Sequence, residues 1–276
     1  MTIGGASGYW GDAPGATAQL LAHEGLDFLV YDYLAEITLS ILARARGADP
    51  AAGYATDFVT AAMAPNLATI AARGVRVVSN AGGVNPDACA QALRSLIRES
   101  GLSLKVAVVR GDDLSARVPA FAGREGSAPV QEMFSGERFP APERVASVNA
   151  YLGAFPIAAA LDHGADIVIT GRCVDSAVTL GACVHHFGWA ADDLDRLAQG
   201  SLAGHILECG TQATGGNFTD WEAVADGLWE AGYPIAEVAA DGNFTVTRPD
   251  GSGGQVSVGT LAEQMLYEIG DPRCYI

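Results

Sequence analysis

Lysine is almost missing: of 16 basic residues in 276, one, Lys105, is a lysine. A Walker loop needs Gly-Lys-Ser/Thr, a pyridoxal phosphate enzyme a Schiff-base lysine, and a short-chain dehydrogenase its Tyr-x-x-x-Lys pair. Lys105 opens an apolar strand, at the sheet edge opposite the one where ligands bind, and serves none of these. Paired cysteines are also absent. Cys89, Cys173, Cys183, Cys209 and Cys274 are widely spaced, odd in number and free of any CxxC, which excludes a disulfide framework and a structural zinc site and leaves five reduced thiols. No HExxH or carboxylate cage occurs, and His185 and His186, being adjacent, point different ways on a helix, so no metal is expected. No apolar run reaches the roughly 18 residues of a membrane span, and the start, MTIGGASGYWGD, lacks the basic region and apolar core of a signal peptide. The expected setting is the cytoplasm. Positive charge is scarce as well: 32 acids give a net charge of −16 with no basic cluster, a surface that repels nucleic acid.

What is present is apolar and rhythmic. With 49% hydrophobic and 17% charged residues the chain can bury a large core. Strand, polar turn and helix start recur at Thr2 to Gly5, Leu26 to Tyr31, Val75 to Ser79, Leu104 to Val109 and Ile167 to Ile169. Parallel strands joined by helical crossovers predict an α/β, doubly wound, mostly parallel sheet of Rossmann or flavodoxin type over residues 1–190. Residues 191–276 predict a smaller α+β extension: a helix, a glycine-rich loop and a hairpin closed at Asp241-Gly242. Residues 123–142 break the rhythm and read as a lid or a disordered surface loop.

In an open parallel sheet, ligands bind at the carboxyl ends of the strands, and there the polar residues collect. The first loop supplies Gly5, Ser7, Gly8 and Asp12, with Asp12 in N-cap range of the helix that Pro14 begins. Asp32 follows the second strand. GxGxxG is absent, however, so no nicotinamide cofactor is expected. Asn80, Gly82, Gly83 and Asn85 follow the third strand, and Arg110 the fourth. In Asp166 to Ser176, DIVITGRCVDS, Gly171 is followed by Arg172, which can take a carboxylate or phosphate bidentately. Asp175 reads as a base or a helix cap, Cys173 as a nucleophile activated by the helix start or a packing residue, and Ser176 as a further ligand contact. Downstream, Thr211, Gln212, Thr214, Gly215, Gly216 and Asn217 suggest an anion-binding nest or a glycine hinge. His205, one turn before Cys209, reads as a general acid or base or as an ordinary helix histidine.

The blocks IGGASGYWGD, DFLVYDYLAEITLSILARARG, AGYATDFV, VVSNAGGVNP, VRGDDL, DIVITGRCVDSA and SLAGHILECGTQATGGNFTDW together resemble the acyclic terpene utilisation AtuA family, from Ile3 to the last residue. The resemblance implies catabolism of citronellol- and geraniol-type isoprenoids, with a branched unsaturated acyl-CoA or its free acid as substrate. CoA would enter only as part of the substrate, with no separate cofactor. It transfers no catalytic residues and no reaction; hydration, carbon–carbon cleavage and thioester hydrolysis all suit a metal-free acid/base site. A non-catalytic partner of an acyl-CoA carboxylase or other pathway enzyme is the alternative. Relatives continue past the position of Ile276, which implies a truncated chain, and the apolar residues near its end imply homo-oligomers.

Overall fold

The computed structural model describes residues 1–124, 126 and 128–270; Cys274 lies outside them. In chain order the elements are β1 (Thr2–Gly5), α1 (Ala16–Leu21), β2 (Phe28–Tyr31), α2 (Glu36–Ala48), α3 (Leu67–Arg73) and β3 (Arg76–Ser79). There follow α4 (Pro86–Glu99), β4 (Val106–Val109), α5 (Val118–Phe121), α6 (Phe155–Asp162) and β5 (Ile167–Thr170). The chain continues through α7 (Ala177–Phe187), α8 (Leu194–Glu208), β6 (Ile235–Val238), β7 (Phe244–Thr247) and α9 (Val258–Leu266).

The strands lie in one sheet of order β4-β5-β3-β2-β1-β6-β7. β1 to β5 are mutually parallel, while β6 runs antiparallel to β1 and β7 to β6. The sheet is therefore mixed α/β and mostly parallel. Its order is neither the Rossmann 3-2-1-4-5-6 nor the flavodoxin 2-1-3-4-5 arrangement, because β4 goes to the edge and β5 returns between β4 and β3. The hairpin β6–β7 extends the same sheet beyond β1.

Alternation along the strands divides the core in two. Leu29, Tyr31, Val77, Ile167 and Ile169 face one side, under Leu20 of α1, Leu42 of α2, Ile70 of α3 and Leu93 of α4. Phe28, Val30, Val78 and Val168 face the other, against Ile157 of α6, Val178 of α7 and Leu207 of α8. The chain thus leaves β3 toward the first face and β5 toward the second. Because β3 and β5 are neighbours, the topological switch point, the crevice position at which α/β sheets hold ligands, falls between their carboxyl ends.

Candidate functional site

The crevice is polar and buried. Asp32, just past β2, is 6% exposed; Asn80, past β3, is 0%; Arg172, past β5, is 3%. Asn80 bridges two loops: its Nδ2 donates to Asp32 Oδ1 at 2.5 Å and its Oδ1 accepts the Tyr33 N–H at 2.7 Å. Ser7, past β1, donates its hydroxyl to the Asp32 carbonyl at 3.0 Å. The ends of three strands, β1, β2 and β3, are thereby held together through Ser7, Asp32 and Asn80.

Arg172 organises the other half. Its backbone N–H donates to Asp112 Oδ2 at 2.8 Å, and Asn149 Nδ2 donates to the same oxygen at 2.9 Å. Its Nη1 donates to the Leu34 carbonyl at 2.9 Å and to Asp175 Oδ1 at 2.5 Å, and its Nη2 to Glu36 Oε1 at 3.3 Å. The guanidinium lies over the Tyr151 ring, 4.2 Å from its centre, a cation–π contact, and the Tyr151 hydroxyl donates in turn to Glu36. Only Nε is buried without a partner. The bidentate anion grip expected of Arg172 is thus directed at the protein's own acceptors. Glycine is required beside it, since a Cβ on Gly171 would strike the Asp112 carboxylate.

The charges in this space compete. Burial drives the Asp32 carboxyl well above the ordinary range, the neighbouring Asp175 charge adds to the rise, and the Asn80 hydrogen bond only partly opposes it. Asp175 is also raised by burial, in spite of Arg172. Burial works against the Arg172 charge, but Asp175, Tyr151 and Asp32 outweigh it and keep the guanidinium ionised. Glu36 is lowered by the Tyr151 hydroxyl. At the end of α8, Glu208 is raised by burial and accepts from His205 Nδ1 at 2.7 Å. That hydrogen bond in turn raises the histidine, whose Nε2 is buried without a partner. Paired titrating groups pushed out of their ordinary ranges, next to one cation, are the usual furniture of acid/base sites.

Other expected site residues stand elsewhere or do other work. Cys173 is fully buried and its thiol is pushed up to about 12 by burial; the expected activation by the helix start is outweighed by loss of water. Asp175 and Ser176 do not cap α7 through their side chains. Asp12 does not cap α1 either: its carboxylate accepts the Gly8 and Ala13 N–H groups at 3.0 and 2.7 Å and the Tyr233 hydroxyl at 2.5 Å. Gly8 admits the protein rather than leaving space for a ligand, because its Cβ would lie 2.6 Å from the Cys209 carbonyl carbon; Gly5 meets Leu207 in the same way. Gly82 and Gly83 turn the chain after β3, and Asn85 caps α4, accepting from Ala88. Arg110 pairs with Asp87 at the exposed sheet edge, away from the switch point. Thr211 to Asn217 form a tight turn beside α9 in which Gly216 N–H donates to Thr211 O at 2.9 Å and Thr214 Oγ1 to Gly232 O at 2.7 Å, and Gln212 Oε1 is buried unpartnered. Gly215, which takes a positive φ, closes that turn against Val224.

Sequence reading did not single out Glu36, Tyr151, Asp112, Asn149 and Glu208. Asp112 carried a usable signal as an acid at a strand's carboxyl end; Tyr151 carried none, arriving from a segment without periodicity. Beside this network a cavity of about 350 Å³ is lined by Arg46, Val84, Asp113, Ser115, Ser147 and Asn149 among others. Among the described residues no cluster of three or more His, Cys, Asp or Glu is set to hold a metal ion, and no helix is long and apolar enough to cross a membrane.

No curated protein and no solved structure matches the chain. The sequence model of the acyclic terpene utilisation family protein AtuA matches residues 1–276. The chain belongs to that family.

Proposed function

We propose that the chain is an enzyme of acyclic terpenoid catabolism that adds or removes water, or cleaves a carbon–carbon bond, on a branched unsaturated acyl-CoA or its carboxylic acid. One observation carries the reading: a buried carboxyl, Asp32, raised toward its protonated form beside a second carboxylate, Asp175, that a buried guanidinium holds. Two carboxyl groups in unlike environments can divide the work of acid and base. Asp32 would deliver a proton to the substrate and Asp175 receive one, with Arg172 fixing Asp175. Thioester hydrolysis through a cysteine is disfavoured, since the Cys173 thiol stays protonated. The cavity bounded by Arg46 and Asn149 falls within the size range of small-molecule sites and would take part of the ligand, while CoA is carried by the substrate and no separate cofactor is invoked. The chain would work in the cytoplasm.

A second reading, a non-catalytic partner of an acyl-CoA carboxylase or other pathway enzyme, draws on the engagement of both terminal nitrogens of Arg172 by protein acceptors. Incubating the purified chain, with no other protein, with geranoyl- and citronellyl-type thioesters and the free acids separates the two. Hydrated or cleaved product from wild type, absent with Asp32→Asn, supports the enzyme. No product from any of these compounds, with retention of the chain on a purified acyl-CoA carboxylase, supports the partner.

A further inference from the structure

Residues 123–142, expected to be a lid or a disordered loop, include a built hairpin arm. The Val130 N–H donates to Phe121 O, the Phe139 N–H to Val130 O and the Glu132 N–H to Glu137 O, at 2.8–2.9 Å. The Phe121 and Phe139 rings pack with centroids 5.7 Å apart, and Arg124 pairs with Glu143 at 3.3 Å. These contacts fix the root and hold the tip outward. Every residue from 130 to 138 is exposed, with Met133 at 59% and Phe134 at 72%. A hairpin that fixes two large apolar side chains in water is bearing them for a contact.

The elements that precede and follow the segment bearing the arm line a groove. β4 is an edge strand, and between it and α6 lies a shallow apolar depression of about 560 Å³, floored by Val106, Val108, Ala159 and Ala160 with Lys105 at one end and Arg110 at the other. An apolar sheet edge left open invites pairing. Strand addition is hindered, because Arg94 Nη2 donates to the Val106 carbonyl at 2.8 Å. The fitting occupant is therefore a plug of side chains.

Charge selects which plug. Two copies carrying −16 each repel over most of their surfaces, so contact must form where a cation is available. Arg110 is neutralised by Asp87, but the Lys105 ammonium makes no ion pair among the described residues. The arm's tip is apolar between two acids, Glu132 and Glu137. Glu132 bends back onto the Phe134 N–H at 3.0 Å, which leaves Glu137 to meet a cation. We propose that Met133 and Phe134 of one copy seat in the β4–α6 groove of a second, with Glu137 against Lys105. The arm grows from the segment that follows β4, so a two-fold axis beside this edge would engage both arms reciprocally, as a self-complementary dimer requires.

Light scattering and sedimentation of the whole chain test this. Wild type is expected to be a dimer. Phe134→Asp, or Met133→Asp should the first misfold, is expected to raise the dimer dissociation constant at least about 30-fold, as for loss of a hot-spot side chain, with an unchanged circular dichroism spectrum. Lys105→Glu is expected to weaken association, and Lys105→Glu combined with Glu137→Lys to recover it. A chain carrying Phe134→Cys and Ala160→Cys is expected to form an intermolecular disulfide on oxidation. A monomeric wild type, a dimer indifferent to the tip substitutions, a charge exchange that recovers nothing, or failure to cross-link would each overturn the proposal.

Discussion

Two loops that begin with glycine at strand ends read alike in sequence and do opposite work. In the first, Gly4 to Asp12, the missing side chains let β1's loop press onto the end of α8: a Cβ on Gly8 would meet the Cys209 backbone, and Asp12 satisfies two backbone N–H groups and the Tyr233 hydroxyl. That is the chemistry of a structural joint. In the second, Gly171 to Ser176, the glycine clears the Asp112 carboxylate, and the next residue sends a guanidinium into a space shared by Asp175, Glu36 and Tyr151. Glycine marks close approach in both. What differs is whether the buried polar groups are used up by the backbone or left titrating against one another.

The sharpest way to break this contrast is at Asp32. If the crevice is an acid/base site, Asp32→Asn should keep the fold, since an amide oxygen can still accept from Asn80, and reduce turnover on an active thioester or acid by at least about 100-fold, the lower end for a general acid or base. The same variant has a pH signature. A carboxyl whose folded pKa is raised contributes stability that is fully present below its unfolded value and is lost as pH rises through the folded value. Wild type should therefore lose stability with rising pH relative to Asp32→Asn, and the variant's advantage in melting temperature should widen toward alkaline pH. Equal melting temperatures at acid and alkaline pH would show that Asp32 is not held protonated.

Arg172→Ala comes next. It removes hydrogen bonds to two carboxylates and a carbonyl and should destabilise by about 1.5–3 kcal/mol, the range for hydrogen bonds to charged groups. The loss should be below the roughly 3–5 kcal/mol of a fully buried pair, because the Asp175 and Glu36 side chains keep 33% and 76% of their exposure. Denaturant unfolding reads this directly, and a loss below about 0.5 kcal/mol would mean that the guanidinium is not a structural cation. Gly8→Ala tests the first loop. Overpacking of this kind typically costs about 1–3 kcal/mol, and since the loop is a joint, any surviving folded protein should retain its turnover per molecule. Intact stability with lost turnover would instead return this loop to the site.

How far the sequence carried this contrast depends on the range of the interactions. The five parallel strands and the hairpin were legible because their signals are local: β-branched runs such as Ile167-Val168-Ile169 ending in glycine. The sheet order was not, because nothing local says that β4 goes to the edge while β5 returns beside β3. The switch point between β3 and β5 therefore could not be located, although Asn80 and Arg172, which flank it, were both singled out. Asp32 was legible only as a polar residue at the end of the second strand; its neighbours, Asn80 and Asp175, come from 48 and 143 positions away. Of the two alternatives for Cys173, activated nucleophile or packing residue, its burial favours the second, and sequence left both open for the same reason. A helix start is a local feature that lowers a thiol pKa, whereas burial beneath Leu152 and α7 is a property of the assembled fold.

The smallest expected effect belongs to that cysteine. Cys173 lies in the same loop as Arg172, and a reading based on the loop alone would make it the nucleophile. Its thiol is fully buried and pushed up to about 12, with the Thr170 hydroxyl directed at Sγ from 3.6 Å. At neutral pH almost none of it is thiolate, and the thiolate is the reactive form. Cys173→Ala should therefore leave turnover on any accepted substrate within about twofold of wild type, and stability should fall by only about 1 kcal/mol for the lost buried sulfur. Alkylation should be equally uninformative to the enzyme: iodoacetamide should leave Cys173 unmodified in the folded chain and label it only on unfolding, as read by peptide mass. If Cys173→Ala instead abolished turnover at unchanged stability, the loop would be a nucleophile's loop after all, and Asp32 with its raised carboxyl would become the accessory.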